Sequence, residues 1–462
     1  MAGRSVEDMN PQGERWTTDQ VLALAPDDAS RKAGGKLAAA GPWSETGADG
    51  GAVWGLCKGS GKNPYQTVID VTGPAFTCSC PSRKFPCKHA LGLLLLWAGE
   101  GEAVPAGAAP EWAGPWLAGR REKAERAAAT AAGGGGTART PSDPEAARRR
   151  AERRLERIAS GATELEQRLE DLLRAGLTAA EGGGYRQWDE TAARMVDAQA
   201  PGLAARVREL GSVATSGAAD WPARMLAECA LLHLLDQGFL GRERLPAPLA
   251  ATVRARVGLT TDTAELLTGP EAATVRDRWL VLAQQDSDDS RLTTRRIFLR
   301  GERTGRMALH LSFGGGGRPL DVALPPGLVL DADLAYYPGA RPLRAALGER
   351  HAPAAPGPVP PGCGIDAALA AYGDALRDDP WLESWPVVLA DVTPVPADDG
   401  SGWQLADADG ESALPLDPRF LGRAGLWQLA AISGGAPVTV FGECGHRGFM
   451  PLTAWDPTPV SL

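Results

Sequence analysis

The sequence predicts an α+β chain of several domains: a small ββα unit near the N-terminus, a helical middle region, and antiparallel β domains toward the C-terminus. Three observations carry that expectation. Four soft metal ligands crowd into residues 78–89. Apolar residues recur every three or four positions between about 142 and 240. Beyond about residue 270 the period drops toward two, with turn-rich breaks between the runs.

The ligand cluster reads Cys78-Ser-Cys80-Pro-Ser-Arg-Lys-Phe-Pro-Cys87-Lys-His89, a C-x-C-x6-C-x-H pattern that uses three of the seven cysteines and one of the five histidines. Tyr65-Gln-Thr-Val-Ile-Asp-Val71 is β-branched and aromatic, and Thr72-Gly-Pro-Ala75 is a turn, so one strand leads into a second at Phe76. Alternation along that second strand puts Cys78 and Cys80 on one face. Pro81 and Pro86 bracket a loop, and Leu91, Leu94 and Leu95 have helical spacing. Cys87 then sits near a helix start, with His89 in or beside the first turn. A disulfide between Cys78 and Cys80 would be strained, and a redox pair is normally spaced C-x-x-C. A Cys3His set instead fills the tetrahedron that zinc prefers, which favours a structural over a catalytic ion. Cys57 is a fifth candidate, read as a strand residue near the site. Cys444-Gly-His446 lacks a partnering C-x-C and reads as a hairpin turn; Cys229 and Cys363 are isolated.

With CxC, a short loop and CxH in place, the segment resembles the SWIM zinc-finger family. Trp54-Gly-Leu-Cys-Lys-Gly-Ser-Gly before the motif and Ala90-Leu-Gly-Leu-Leu-Leu-Leu-Trp97 after it extend the likeness over roughly residues 14–98. The resemblance implies zinc held by Cys78, Cys80, Cys87 and His89, and binding to DNA or protein without saying which. The motif also looks like that of bacterial SWIM proteins encoded beside MoxR-type AAA+ ATPases and von Willebrand A proteins. By analogy, either is an implied partner.

Composition frames the rest. The chain has 462 residues, 44% hydrophobic, enough for two to four domains with buried cores. It has no run of eighteen apolar residues, so no membrane span is expected. The N-terminus has no apolar signal region, and seven cysteines around a thiolate site fit a reducing cytoplasm. Net charge is −9, which argues against a surface coated for nucleic acid. Residues 51–98 differ: Lys58, Lys62, Arg83, Lys84 and Lys88 oppose only Asp70. Those cations either offset the thiolates or form a small docking surface for an anionic partner, phosphate backbone or acidic protein.

Along the chain, Thr17-Thr-Asp-Gln20 has capping-box form before a short helix, and a second helix is expected around 29–40. Residues 1–100 are the SWIM-type domain and 101–141 a flexible linker, with Trp112 and Trp116 as local anchors. A helical domain over 142–265 opens at Ser142-Asp-Pro-Glu145. Its stripe of Leu155, Ile158, Ala162, Leu165, Leu169 and Leu172 is that of a coiled coil or a bundle helix; the bundle is favoured because Gly161 and Gly176 shorten the run. His233 falls in a later helix of this region and reads as a core or surface histidine.

An antiparallel β domain follows over 266–350, with strands at Trp279–Ala283, Arg295–Arg300, Met307–Phe313 and Leu320–Leu324. The acidic Asp286–Ser290 and glycine-rich Gly314–Gly317 stretches between them read as hairpin loops, not calcium or phosphate loops. A Pro-rich linker (351–364) leads to a helix from Ile365 and a small β-barrel-like or meander domain ending at 462, with Trp427–Ile432 as one of its strands.

No nucleophile elbow, paired-carboxylate signature, Rossmann motif or P-loop is present. The expected function is a non-enzymatic zinc adaptor that recognises another macromolecule, a protein. The alternative is a nucleic-acid binder using the basic finger surface.

Overall fold

The computed structural model describes residues 16–462 except 23, 26–27, 60, 62, 72–74, 83–85, 100–102, 121, 123–143, 178–183, 271, 290–291, 315–321, 398–399 and 401. Helices and antiparallel sheets are combined as the sequence predicts: an N-terminal sheet with the cysteine cluster, a helical middle, and two further sheets.

Two short helices, α1 (Thr18–Leu22) and α2 (Asp28–Gly35), precede strands β1 (Trp43–Ala48), β2 (Ala52–Cys57), β3 (Tyr65–Asp70) and β4 (Ala75–Cys78), and then helix α3 (Lys88–Gly99). The strands pair in sequence order, all antiparallel. The expected ββα unit is therefore β3-β4-α3, widened by β1 and β2. Helix α3 is apolar all round, and every residue from His89 to Trp97 is buried. It packs against the sheet on one side and α1 and α2 on the other. Two glycines let α2 approach: a Cβ on Gly34 would lie 2.8 Å from Leu91 Cβ, and one on Gly92 would lie 2.5 Å from Leu37 Cβ.

Residues 103–120 depart from the linker expected of 101–141. Ala106 bridges to Ala48 at the edge of β1. Ala113 and Leu117 join Ala52, Trp54 and Val68 in a small core, with Trp112 and Trp116 packed against it. Trp112 Nε1 donates to Glu45 (3.0 Å) and Arg120 pairs with Asp70 (2.8 Å). The tryptophans hold this stretch to the back of the sheet.

The helical region comprises α4 (Pro144–Ala175), α5 (Gly184–Asp197), α6 (Pro201–Ala214), α7 (Trp221–Leu240) and α8 (Ala247–Val257), followed by short α9 (Thr263–Thr268). Ile158, Ala162, Leu165, Leu169 and Leu172 of α4 are buried against the other helices of this chain, so the stripe serves a bundle. Helix α4 runs unbroken through Gly161, where a Cβ would lie 2.6 Å from Ala198 Cβ; the glycine permits a close approach and does not end the helix.

Strands β5 (Thr274–Asp289), β6 (Leu292–Gly301), β7 (Met307–Gly314), β8 (Leu328–Tyr336), β9 (Ala345–Arg350) and β10 (Ala355–Pro356) form a second sheet in the order β10-β8-β5-β6-β7, with β9 also on β8. Residues 286–289 belong to β5 itself, at the hairpin to β6. Of the strand expected at 320–324, residues 320–321 lie outside the described residues and 322–324 are not strand. Side chains meet their backbone instead: Leu324 N donates to Gln284 Oε1 (2.7 Å), and Val322 O accepts from Arg295 (2.9 Å). The Pro-rich 351–364 stretch contributes β10 and a bridge from Cys363 to Leu389.

A third sheet contains β11 (Ser384–Pro396), β12 (Trp403–Asp407), β13 (Ala413–Pro415), β14 (Val438–Gly445), β15 (Gly448–Asp456) and β16 (Thr458–Ser461), with helices α10 (Ile365–Asp378), α11 (Pro418–Leu421) and α12 (Ala424–Ser433). Its order, β13-β12-β11-β14-β15-β16, is open at both ends, so it is a meander-like sheet and not a barrel. His446 and Arg447 form the β14–β15 turn, as expected of Cys444-Gly-His446. Trp427–Ile432, expected as a strand, lies within α12. Leu426, Leu429 and Ser433 give a buried face of helical period, and Gly434 closes the helix at φ +53°.

The second sheet is the central layer. Along β5, Trp279 and Val281 join the N-terminal core, while Leu280 and Leu282 pack against the third sheet through Val388, Phe441, Leu452 and Trp455. Ile297 and Leu299 of β6 face the N-terminal unit and Phe298 faces the third sheet. Arg256 of α8 forks onto Asp379 (2.6 and 3.0 Å), and Trp381 Nε1 donates to Leu231 O (2.9 Å), tying the bundle to the C-terminal unit.

One buried acid lies inside the bundle. Asp236 on α7 is fully buried and neither of its oxygens has a hydrogen-bond partner at good geometry. Burial, and then the charge of Glu166 on α4, push its pKa up to about 9. Glu166 itself accepts from His233 Nδ1 (2.6 Å) and Gln237 Nε2 (2.8 Å). A folded-state pKa above the unfolded value of about 3.9 means that the native state keeps a proton the unfolded chain releases. Stability from this group is complete below about pH 4 and declines as pH rises toward 9. The urea midpoint of the full chain should therefore fall from about pH 5 to about pH 9, and Asp236→Asn should reduce that fall. The same pH dependence in both proteins would contradict the assignment.

Candidate metal centre

The four ligands arrive from three local structures. Cys78 is the last residue of β4, in register with Thr67 of β3. Cys80 lies just beyond, in a bend, so the two cysteines do not share a strand face as alternation alone suggests. Ser79 N donates to Gln66 O (3.0 Å), which keeps the chain on the sheet for one more residue before it turns. Cys87 immediately precedes α3 and its carbonyl accepts from Leu91 N (3.0 Å). His89 lies in the first turn of α3, is 5% exposed, and its ring packs on Tyr65 with centroids 4.7 Å apart.

The candidate ligand atoms of Cys78, Cys80, Cys87 and His89 all lie within 4.8 Å of one another, and Cys78 Sγ is 3.7 Å from His89 Nδ1. A tetrahedral zinc at about 2.3 Å from sulfur and about 2.0 Å from nitrogen separates its ligands by roughly 3.5–3.8 Å. These four side chains are positioned to bind a metal ion, and the donor set is that of zinc.

The electrostatics agree. A hydrogen bond from the Cys87 thiol, helped by His89 and Thr67 and opposed by burial, holds Cys78 down to about 4. Cys87 is driven up by that same bond and by burial, and burial raises Cys80. Three sulfurs this close resist joint ionisation; a dication at their centre makes all three thiolates favourable. Thr67 Oγ1 lies 3.3 Å from Cys78 Sγ. Backbone N–H groups of Cys80, Ser82 and Ala90 add support at Cys78, Cys80 and Cys87 respectively. Such outer contacts orient the ligands.

Tyr65 and Thr67 were not singled out from the sequence. The available signal was their i, i+2 spacing on β3, opposite the strand that ends at Cys78. Cys57 is fully buried, opposite Tyr65 in the sheet. Burial raises its pKa, and Cys78 raises it further, so it lies beside the ligand set without belonging to it. Of the basic residues singled out, Lys58 and Lys88 are exposed, and Lys62, Arg83 and Lys84 lie outside the described residues.

A closed Cys3His shell seated between a β-hairpin and a helix start defines a structural zinc finger. Residues 77–98 match the SWIM zinc finger, and residues 153–257 match the SWIM-associated four-helix bundle domain. The chain thus carries both SWIM-type modules, the second running from within α4 to the end of α8. No curated protein and no solved structure matches it. Among the described residues, no helix is long and apolar enough to cross a membrane.

Purified protein should retain about one tightly held zinc per chain after dialysis against metal-free buffer. Cys80→Ser and Cys87→Ser should lose it while Cys57→Ser keeps it; equal zinc in all three variants would refute the ligand set. Because metal binding contributes folding free energy to so small a unit, a strong chelator should speed proteolysis between residues 65 and 98. Unchanged digestion would mean that the surrounding core holds the loop without the ion.

Proposed function

We propose that this chain is a non-enzymatic, zinc-dependent adaptor that docks another protein through the surface around its SWIM finger. The observation that carries this reading is the closed ligand shell: four protein ligands leave no position at which a zinc-bound water would attack a substrate. The ion's role is then to fix the shape of the β4–α3 connection and whatever that connection presents. Lys58 and Lys88 lie exposed beside it, and the sequence of the ligand loop adds Arg83 and Lys84, a local excess of positive charge suited to an acidic protein surface. The family likeness makes a MoxR-type AAA+ ATPase or a von Willebrand A protein the first partner to test. A reducing, cytoplasmic setting belongs to the same proposal, since the thiolates need one.

Nucleic acid is the second reading, because the same cations suit phosphates. Charge ranks it lower: the whole chain carries a net −9, which repels a polyanion away from the finger. The test is charge reversal in the full chain with zinc retained. Lys84→Glu combined with Lys88→Glu should abolish binding of the protein partner, while DNA binding stays weak at about 0.15 M salt in both forms. Tight DNA binding whose log affinity falls by roughly 0.9 per phosphate contact for each log unit of salt, and which the reversal removes, would establish the second reading instead.

A further inference from the structure

We propose a second metal site, unrelated to the finger, at the β8–β9 edge of the central sheet, formed by Asp333, Glu349 and His351 and suited to a divalent transition ion such as Zn²⁺. One ligand atom from each lies within 4.8 Å of the other two. The backbone explains why they converge. Strand β9 pairs with β8 as Ala332↔Arg350 and Leu334↔Leu347, so Gly348 and Glu349 together oppose Asp333 in a β-bulge. His351, two residues beyond Glu349, continues the pairing through its N–H to Asp331 O (2.8 Å). The i, i+2 spacing brings Glu349 and His351 to the face that Asp333 occupies.

The decisive detail is the relation of His351 to Asp333. His351 Nε2 lies 3.1 Å from Asp333 Oδ2, with the two side chains 19% and 22% exposed. The pair is close, yet Nε2 is buried with no hydrogen-bond partner at good geometry. An imidazole and a carboxylate that bond each other point at each other. Two ligands of one ion point at a third position, with about 2.1 Å from each atom to the metal and roughly 3.0–3.4 Å between them. The observed spacing has that form. Carboxylates outnumber arginines here: Arg276 forks onto Asp331 (3.2 Å twice) and also feels Asp333 and Glu349, while Arg278 reaches Asp331 but pairs with Glu302 (2.7 Å). One imidazole and two carboxylates are a donor set for zinc, cobalt or manganese, with water completing the shell.

The experiment is a cobalt(II) titration of the full chain with its finger already loaded with zinc. One further equivalent should bind and give weak visible bands without the intense thiolate charge-transfer absorption that cobalt in the finger would produce. Affinity for that equivalent should fall more than about tenfold, the lower end of what loss of even an outer-shell partner costs, in both Asp333→Asn and His351→Ala. It should be unchanged in the finger variant Cys57→Ser. Unfolding midpoints of the variants without cobalt serve as the folding control, and Glu349→Gln, at an exposed position, repeats the test if either variant fails to fold. No saturable second equivalent, or one that survives these substitutions, would overturn the site and leave an ion-pair cluster only; neither outcome touches the finger.

Discussion

Helix α3 is the constraint on which the N-terminal half depends. Its sequence offers no polar face, so it must be enclosed: the β1–β4 sheet and helices α1 and α2 pack on it, and the core they form continues into the central sheet. Enclosure fixes the helix in position and rotation. Because Cys87 and His89 sit at its start, the packing of α3 helps direct them toward Cys78 and Cys80. Zinc and the apolar core are therefore complementary. The core places two ligands, the β3–β4 hairpin places the other two, and the ion neutralises three sulfurs that could not otherwise ionise together.

That enclosure reaches across the molecule because the central sheet is covered on both faces. A strand with one wet face alternates apolar and polar residues, whereas Trp279-Leu-Val-Leu-Ala283 is apolar throughout. The structure divides that run, Trp279 and Val281 to the N-terminal core and Leu280 and Leu282 to the third sheet, until the β5–β6 register shift after Val281 sends Ala283 to the third sheet as well. A finger that looks detachable in sequence is thus one wall of a layered β structure. A partner docked at the finger would push against this framework, a rigid seat for recognition.

Legibility followed how local the determining physics was. The ligand set was readable because coordination chemistry dictates both residue type and spacing, and the bundle stripe because amphipathic period is local to one helix. Cys80 was misplaced because strand alternation says nothing of where a strand stops; the bend after Cys78 is set by the metal loop. Trp427–Ile432 is a short apolar run, for which period alone does not separate strand from helix, and Gly434 was the neglected stop signal. Residues 103–120 look structureless in composition because their order comes from distant partners, Glu45, Asp70 and the back of the β1–β4 sheet. Residues 322–324 carry a strand-like pattern, but Gln284 and Arg295 take the backbone groups that a neighbouring strand would need.

Strand β9 links the two ends of this argument. Glu349 and His351 lie on one side of it, and Arg350 between them must project to the other. Arg350 is largely enclosed: burial lowers its pKa, Asp70 at the end of β3 supports its charge, and Arg120 opposes it. Arg120 pairs with the same Asp70 at 2.8 Å. A carboxylate from the finger's own sheet thus pairs with one arginine, from the 103–120 segment, and supports the charge of a second, from the central sheet. Removing Asp70 would leave Arg350 enclosed beside Arg120 with no carboxylate between them, a costly arrangement. The register of β9 comes from its pairing with β8, and the positions of Glu349 and His351 follow from that register. The bulge that brings the two ligands to Asp333 thus lies on the opposite side of β9 from the charge that Asp70 supports.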